Sequence, residues 1–193
     1  MGELHDQNII HKDIKPHNIL YHPTTHQLHL IDFSIASRLS VENKEAGNIQ
    51  KLEGTLDYLS PEQTGRMNRT LDYRSDFYSL GVSLYEMLTG RLPFHSDDAL
   101  EIVHFHIART PTAPSNINPL IPEMLDQIVL KLMEKNAEDR YQSAQGLKKD
   151  LQKCLNDWRK NQHIPSFNLG MGDKAEHFQI PEKLYGRQDE VLQ

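Results

Sequence analysis

HKDIKPHNIL, residues 11–20, puts a histidine, an acid, a lysine, a proline and an asparagine into one polar turn between apolar runs. Alone, such a stretch is an ordinary turn. It becomes a chemical device only if the rest of the chain supplies partners for Asp13, Lys15 and Asn18. Residues 19–30, ILYHPTTHQLHL, read as two short apolar strands around a turn punctuated by Pro23 and two threonines, which predicts a β-hairpin. The hairpin leads from Asn18 to Asp32-Phe33-Ser34, so a second acid is delivered at a separation from the first turn that the hairpin fixes.

Composition narrows what that turn can serve. The chain has 193 residues, enough for one domain with a sizeable core plus a tail. Lysine and arginine number 21 against 27 acids, a net charge of -6, which leaves no electrostatic footprint for nucleic acid. Cys154 is the single cysteine, so no internal disulfide forms, and its place in a helical pattern makes it a packing residue in a reducing compartment. The opening MGELHDQ has no leader pattern, Asp6 stands where a myristoylation motif needs Ser or Thr, and the apolar stretch at 80–88 is broken by Ser83 and Glu86. The expectation is a cytoplasmic chain without a membrane span.

Beyond the hairpin, residues 38–57 lack periodicity and predict a long exposed loop. SDFYSLGVSLYEMLTG, 75–90, predicts a buried helix capped by Ser75 and ended by Gly90. A second helix starts near Asp97 with Ala99, Ile102, Val103 and Ile107 on one face. A third opens at Pro122 with Leu125, Ile128, Val129, Leu132 and Met133 in helical register, and a fourth runs over 143–158 with Ala144, Leu147, Leu151, Leu155 and Trp158 as its stripe. Residues 162–182 read as a linker. His22, His26 and His29 surround an exposed turn with no acidic or cysteine partner and do not make a metal site, while His104 and His106 read as surface residues.

The motifs carry a family resemblance. His11-Lys12-Asp13-Ile14-Lys15-Pro16-His17-Asn18 resembles the catalytic loop H-R-D-x-x-x-x-N of eukaryotic-type protein kinases, in the Asp-x-Lys-Pro form of the Ser/Thr enzymes, with Lys12 in place of arginine. Asp32-Phe33-Ser34 resembles D-F-G with serine for glycine, and Ser60-Pro61-Glu62 resembles A-P-E, in matching order and spacing. Serine at 34 is a departure, since glycine adopts backbone angles there that serine reaches less readily. The resemblance implies a mainly α fold with a small β-hairpin (α+β), a protein-kinase-like large lobe lacking the N-terminal lobe. Its domains are 1–161, the kinase lobe, and 162–193, a linker and the start of a further domain.

Phosphoryl transfer asks little covalent chemistry of a protein. It needs an aimed hydroxyl and neutralisation of spread negative charge. Asp13 would accept the hydroxyl proton of a substrate Ser or Thr, Lys15 would meet the transferred phosphate, and Asn18 and Asp32 are hard oxygen ligands suited to Mg2+. The resemblance adds further roles. Leu20 matches the residue under the adenine ring of ATP, and Thr55 the threonine that bonds the catalytic aspartate. His11 and Phe33 match members of the apolar column between lobes, Asp76 the aspartate that holds the catalytic-loop backbone, and Arg140 the arginine paired with Glu62. The implied cofactors are ATP and Mg2+, and the implied partner is a protein substrate phosphorylated on Ser or Thr in signalling.

Other features set the context. No G-x-G-x-x-G-x-V or V-A-I-K motif precedes residue 11, so the chain is expected to be an N-terminally truncated piece, without phosphotransfer on its own. Leu184 to Glu190, LYGRQDE, resembles the opening of an AAA-type ATPase domain, implying a fused signalling domain after residue 193. Residues 41–53 hold no Ser, Thr or Tyr but include Glu42, Glu45 and Glu53, so a glutamate is expected to stand opposite Lys12 where other kinases place a loop phosphate. The alternative reading is a non-catalytic, pseudokinase-like protein-interaction module that uses the groove near the helix at Asp97.

Overall fold

The computed structural model describes residues 1–38, 56–67 and 69–174. The chain opens with one helical turn, α1 (Gly2–Asp6), followed by a two-residue strand, β1 (Ile9–Ile10). The predicted hairpin is present as β2 (Ile19–His22) and β3 (Gln27–Leu30), antiparallel, with Ile19 opposite Leu30 and His22 opposite Gln27. Another short strand, β4 (Ser37–Arg38), returns antiparallel to β1. From residue 74 the fold is helical: α2 (Arg74–Thr89), α3 (Ala99–Ala108), α4 (Glu123–Leu132) and α5 (Ala144–Asn161). The architecture is thus mostly helical with small antiparallel sheets, as expected.

α2 is the axis of the core. Phe77 joins Ile10, Met124, Ile128, Leu132 and Tyr141 on one side, while Tyr78, Val82 and Tyr85 join Tyr58, Phe94 and Val129 on the other. This explains why its apolar residues run round most of the helix and not along one stripe. The helix ends at Gly90, whose φ of 73° lies in the left-handed region. Its start differs from expectation. Ser75 lies inside the first turn and does not cap it; its hydroxyl donates to Glu62 Oε1 at 2.7 Å.

α3 is capped by Asp98, which accepts from the Leu100 amide at 2.8 Å. Its buried residues are Ile102, Val103 and His106, so the surface reading of His106 is corrected. Helical spacing places residue 106 on the stripe of 102 and 103, and that stripe faces the core. The imidazole Nδ1 lies 3.0 Å from the Tyr78 hydroxyl, which in turn accepts from Lys135 Nζ at 3.2 Å. Burial and the nearby Lys135 push the His106 pKa down to about 3. Because the unfolded chain titrates near ~6.5, it binds a proton that the folded chain refuses between that value and about 3. Stability therefore falls as pH drops through this window, by ~1.4 kcal/mol per unit from this group. Urea unfolding at pH 7 and pH 5 should show His106→Gln with a flatter pH dependence than the parent.

α5 is rotated relative to its predicted stripe. It buries Leu147, Asp150 and Cys154, whereas Leu151, Leu155 and Trp158 remain about two-fifths exposed. The cause is Asp150, drawn inward to accept from the Tyr141 hydroxyl and the Gly170 amide, both at 2.7 Å.

That second contact belongs to a segment expected to be linker. Ile164 is buried, and Phe167 and Leu169 pack on the same core cluster. Asp173 accepts from the Ser143 hydroxyl and from the Gln142 amide, each at 2.6 Å, at the start of α5. The packed body therefore extends past the expected boundary at 161, to about residue 173. Proline at 165 and the absence of periodicity hid this, because the segment docks through single anchors and has no helix or strand of its own. Gly146 makes the docking possible: a Cβ there would stand 2.3 Å from Asp173 Oδ1. Gly146→Ala is expected to expel Asp173 and lower stability by ~1–3 kcal/mol, read as a reduced denaturation midpoint.

Candidate active site

The polar turn is held from below by one buried acid. Asp76, 1% exposed in the first turn of α2, accepts from the His11 amide at 3.0 Å, the Lys12 amide at 2.8 Å and the His5 ring at 2.9 Å. It is not a helix cap, since Tyr73 occupies that position. Further along α2, Ser79 donates to the Tyr58 carbonyl at 2.8 Å, and Ser83 Oγ lies 3.4 Å from the Ile14 carbonyl while its shorter bond, 2.9 Å, goes to the Ser79 carbonyl. Lys12 holds φ of 69°, a left-handed conformation that costs a residue with a side chain ~1–3 kcal/mol unless its surroundings enforce it.

Within this frame Asp13 is 6% exposed. Its Oδ2 accepts from Lys15 Nζ at 2.7 Å and from Asn18 Nδ2 at 2.8 Å. Asn18 Nδ2 also donates to the Asp13 carbonyl at 2.9 Å, so the amide oxygen of Asn18 is the atom left for a ligand. Among the described residues, Asp13 Oδ1 is buried and has no hydrogen-bond partner. A buried carboxylate oxygen without a donor is costly, and such a group calls for a partner such as a substrate, a water or an ion.

The residues on either side of Asp32 are tied to the polar turn by backbone and ring contacts. The Ile31 amide donates to the Asn18 carbonyl at 3.0 Å, and His11 Nε2 lies 3.1 Å from the Ile31 carbonyl. The His11 and Phe33 rings stand 4.7 Å apart. Asp32 itself is exposed, with φ of 63°. Its Oδ1 accepts from the Ser34 hydroxyl at 2.6 Å and the Ser34 amide at 3.2 Å. Those bonds, joined by the charge of Lys15, hold the Asp32 carboxyl below the usual carboxylate range. The left-handed angle thus falls on Asp32 and not on Ser34, so serine in place of glycine meets no backbone penalty here.

The remaining anticipated residues are placed as follows. Leu20 lies on β2 opposite His29 with more than half of its surface exposed. Glu62 accepts from Arg140 through both oxygens, at 2.6 and 2.9 Å; burial alone would raise its pKa, but the guanidinium pulls it below the usual range. Thr55, the glutamates 42, 45 and 53, and the tail at 184–190 lie outside the described residues. Of the hairpin histidines, His26 Nδ1 meets the Tyr21 hydroxyl and His22 Nδ1 accepts from the Thr25 amide. Among the described residues no cluster of three or more His, Cys, Asp or Glu forms a metal cage, and no helix is long and apolar enough to cross a membrane.

Sequence reasoning missed Ser79, Ser83 and Gln63. The serines had a signal, because hydroxyls at 75, 79 and 83 form a polar stripe, at four-residue intervals, on a helix otherwise buried all round. Gln63 had none beyond its place after Glu62.

The protein kinase domain family matches residues 1–151. The chain belongs to that family. Its kinase-domain relatives include the probable serine/threonine-protein kinase PknB of Bifidobacterium longum, 41% identical over 152 residues, which cover 79% of this chain and 22% of the relative. Serine/threonine-protein kinase PknB of Mycobacterium tuberculosis is 38% identical over 152 residues, covering 79% of this chain and 24% of the relative. A hybrid signal transduction histidine kinase G of Dictyostelium discoideum is 41% identical over 157 residues, 71% of this chain and 5% of that protein. This kinase domain therefore spans under a quarter of the length of each of these relatives, two of which are named as Ser/Thr kinases.

Proposed function

We propose that this kinase domain transfers the γ-phosphate of ATP to serine or threonine hydroxyls of a protein, as part of a longer chain. The observation that supports the reading is Asp13 Oδ1, buried and without a hydrogen-bond partner among the described residues, while the other oxygen is fixed by Lys15 and Asn18. A substrate hydroxyl would supply the missing donor, and Asp13 would take its proton as the oxygen attacks. Lys15, bonded to Asp13, would meet the phosphoryl oxygens as a point charge.

The donor set fits Mg2+. The amide oxygen of Asn18 and the carboxylate of Asp32 would hold it, since hard oxygens are what that ion takes alongside phosphate. Bound there with ATP, it would neutralise charge on the phosphate oxygens. Ser34 keeps Asp32 ionised and leaves Oδ2 without a bond to that hydroxyl. Leu20, exposed on β2, is proposed to lie against the adenine ring.

The sequence carries no glycine-rich phosphate-covering strand and no partner lysine, so transfer is proposed only when chain beyond these residues provides them. Leu20, Ile31, Phe33 and Ile35, on or next to the hairpin, are exposed apolar side chains against which such a cover would pack. The single buried Cys154 is in keeping with a reducing, cytoplasmic setting. The test is incubation of the full-length protein with γ-labelled ATP, Mg2+ and acceptor proteins. Label on serine or threonine supports the reading; label confined to other residues, or none, overturns it.

A further inference from the structure

We propose that Gln63 is a positioning residue that couples the 60–64 turn to the peptide carrying Asp13, an inference that rests on the reading of Asp13 as the base. The peptide unit between Lys12 and Asp13 has two polar ends. Its N–H, that of Asp13, donates to His11 Nδ1 over 3.3 Å. Its C=O, that of Lys12, accepts from Gln63 Nε2 at 2.9 Å. The shorter bond is the one from Gln63, so the rotation of this peptide, and with it the direction of the Asp13 side chain, depends on residue 63.

The preceding peptide is fixed by Asp76, which accepts from the Lys12 amide. Asp76 and Gln63 therefore hold Lys12 from both sides, and this enforces its left-handed φ of 69°. Gln63 is itself oriented. Its Oε1 accepts from the Ser60 amide at 3.0 Å and the Ser60 hydroxyl at 2.8 Å, which turns Nε2 toward Lys12. The base of this turn is rigid, because the neighbouring Glu62 is locked to Arg140 and Ser75. Displacement of 60–64 would thus be passed to the base within one side chain.

At neutral pH only an amide can play both parts. Glutamate at 63 keeps the shape and the contacts with Ser60, but as a carboxylate it cannot donate to the Lys12 carbonyl; leucine keeps neither bond. Hydrogen exchange of the full chain, followed residue by residue by NMR, reads the link directly. Gln63→Leu and Gln63→Glu are expected to reduce protection of the His11, Lys12 and Asp13 amides about tenfold, the effect of one hydrogen bond, with α2 and α4 unchanged. In Gln63→Glu the deficit relative to the parent at the same pH should close as pH falls below ~4.3, where the protonated side chain regains a donor. Unchanged loop amides in both variants, uniform loss across the fold, or no recovery on acidification would overturn the proposal. Failure of the catalytic reading would appear instead as absent phosphotransfer with loop protection behaving as described.

Discussion

Arg140→Ala is expected to remove ~3–5 kcal/mol of folding stability, because it leaves a buried carboxylate without its counter-charge. Arg140 is 1% exposed, and every N–H it carries is engaged. Nε donates to the Glu134 carbonyl at 2.7 Å. One terminal nitrogen serves Glu62 Oε1 and the Arg74 carbonyl, and the other serves Glu62 Oε2 and the Lys135 carbonyl. The guanidinium also lies 5.0 Å above the Tyr78 ring. Lysine cannot reproduce this fork, so Arg140→Lys should recover only a minor part of the loss. Equilibrium denaturation of the chain measures it, and a loss below ~1 kcal/mol for Arg140→Ala would show that the pair does not brace the fold.

The pair was legible before the structure because each partner sits in a recognisable motif. The same is true of the hairpin and of the helix beginnings near 97, 122 and 143, where turn residues and helical periodicity agree. What was not legible depended on tertiary choice. α5 turned its stripe because Asp150 found two buried donors, a preference that no local pattern encodes. His106 looked like surface because it was weighed against His104 and not against Ile102. The segment 163–173 has no period to detect, and its anchoring depends on a glycine in a different element. At the site, Asp13, Lys15 and Asn18 were readable as one turn. The left-handed angles at Lys12 and Asp32, and the amide that holds the former, were not.

Asp13→Asn is expected to lower phosphotransfer by ~10^2–10^4-fold in the full-length protein, the range for loss of a positioned general base. Asparagine fills the same volume and still accepts from Lys15 and Asn18 through its oxygen, so the fold and nucleotide affinity should change little. The atom replacing Oδ1 becomes an NH2 group, which cannot accept a proton from the attacking hydroxyl. The expected signature is a fall in kcat with KM for ATP nearly unchanged. A variant retaining more than about a tenth of the parent rate would remove Asp13 from the chemistry.

The proposal that Asn18 and Asp32 form one metal–nucleotide site beside Asp13 can be tested on this chain without any covering lobe. Mn2+ with ATP, titrated into the isotopically labelled protein, broadens the NMR signals of residues near the bound ion. The predicted result is broadening centred on Lys15, Asn18 and Asp32, sparing the hairpin tip at 22–27 and abolished by Asp32→Asn. Broadening centred elsewhere, or unaffected by that substitution, would contradict the account.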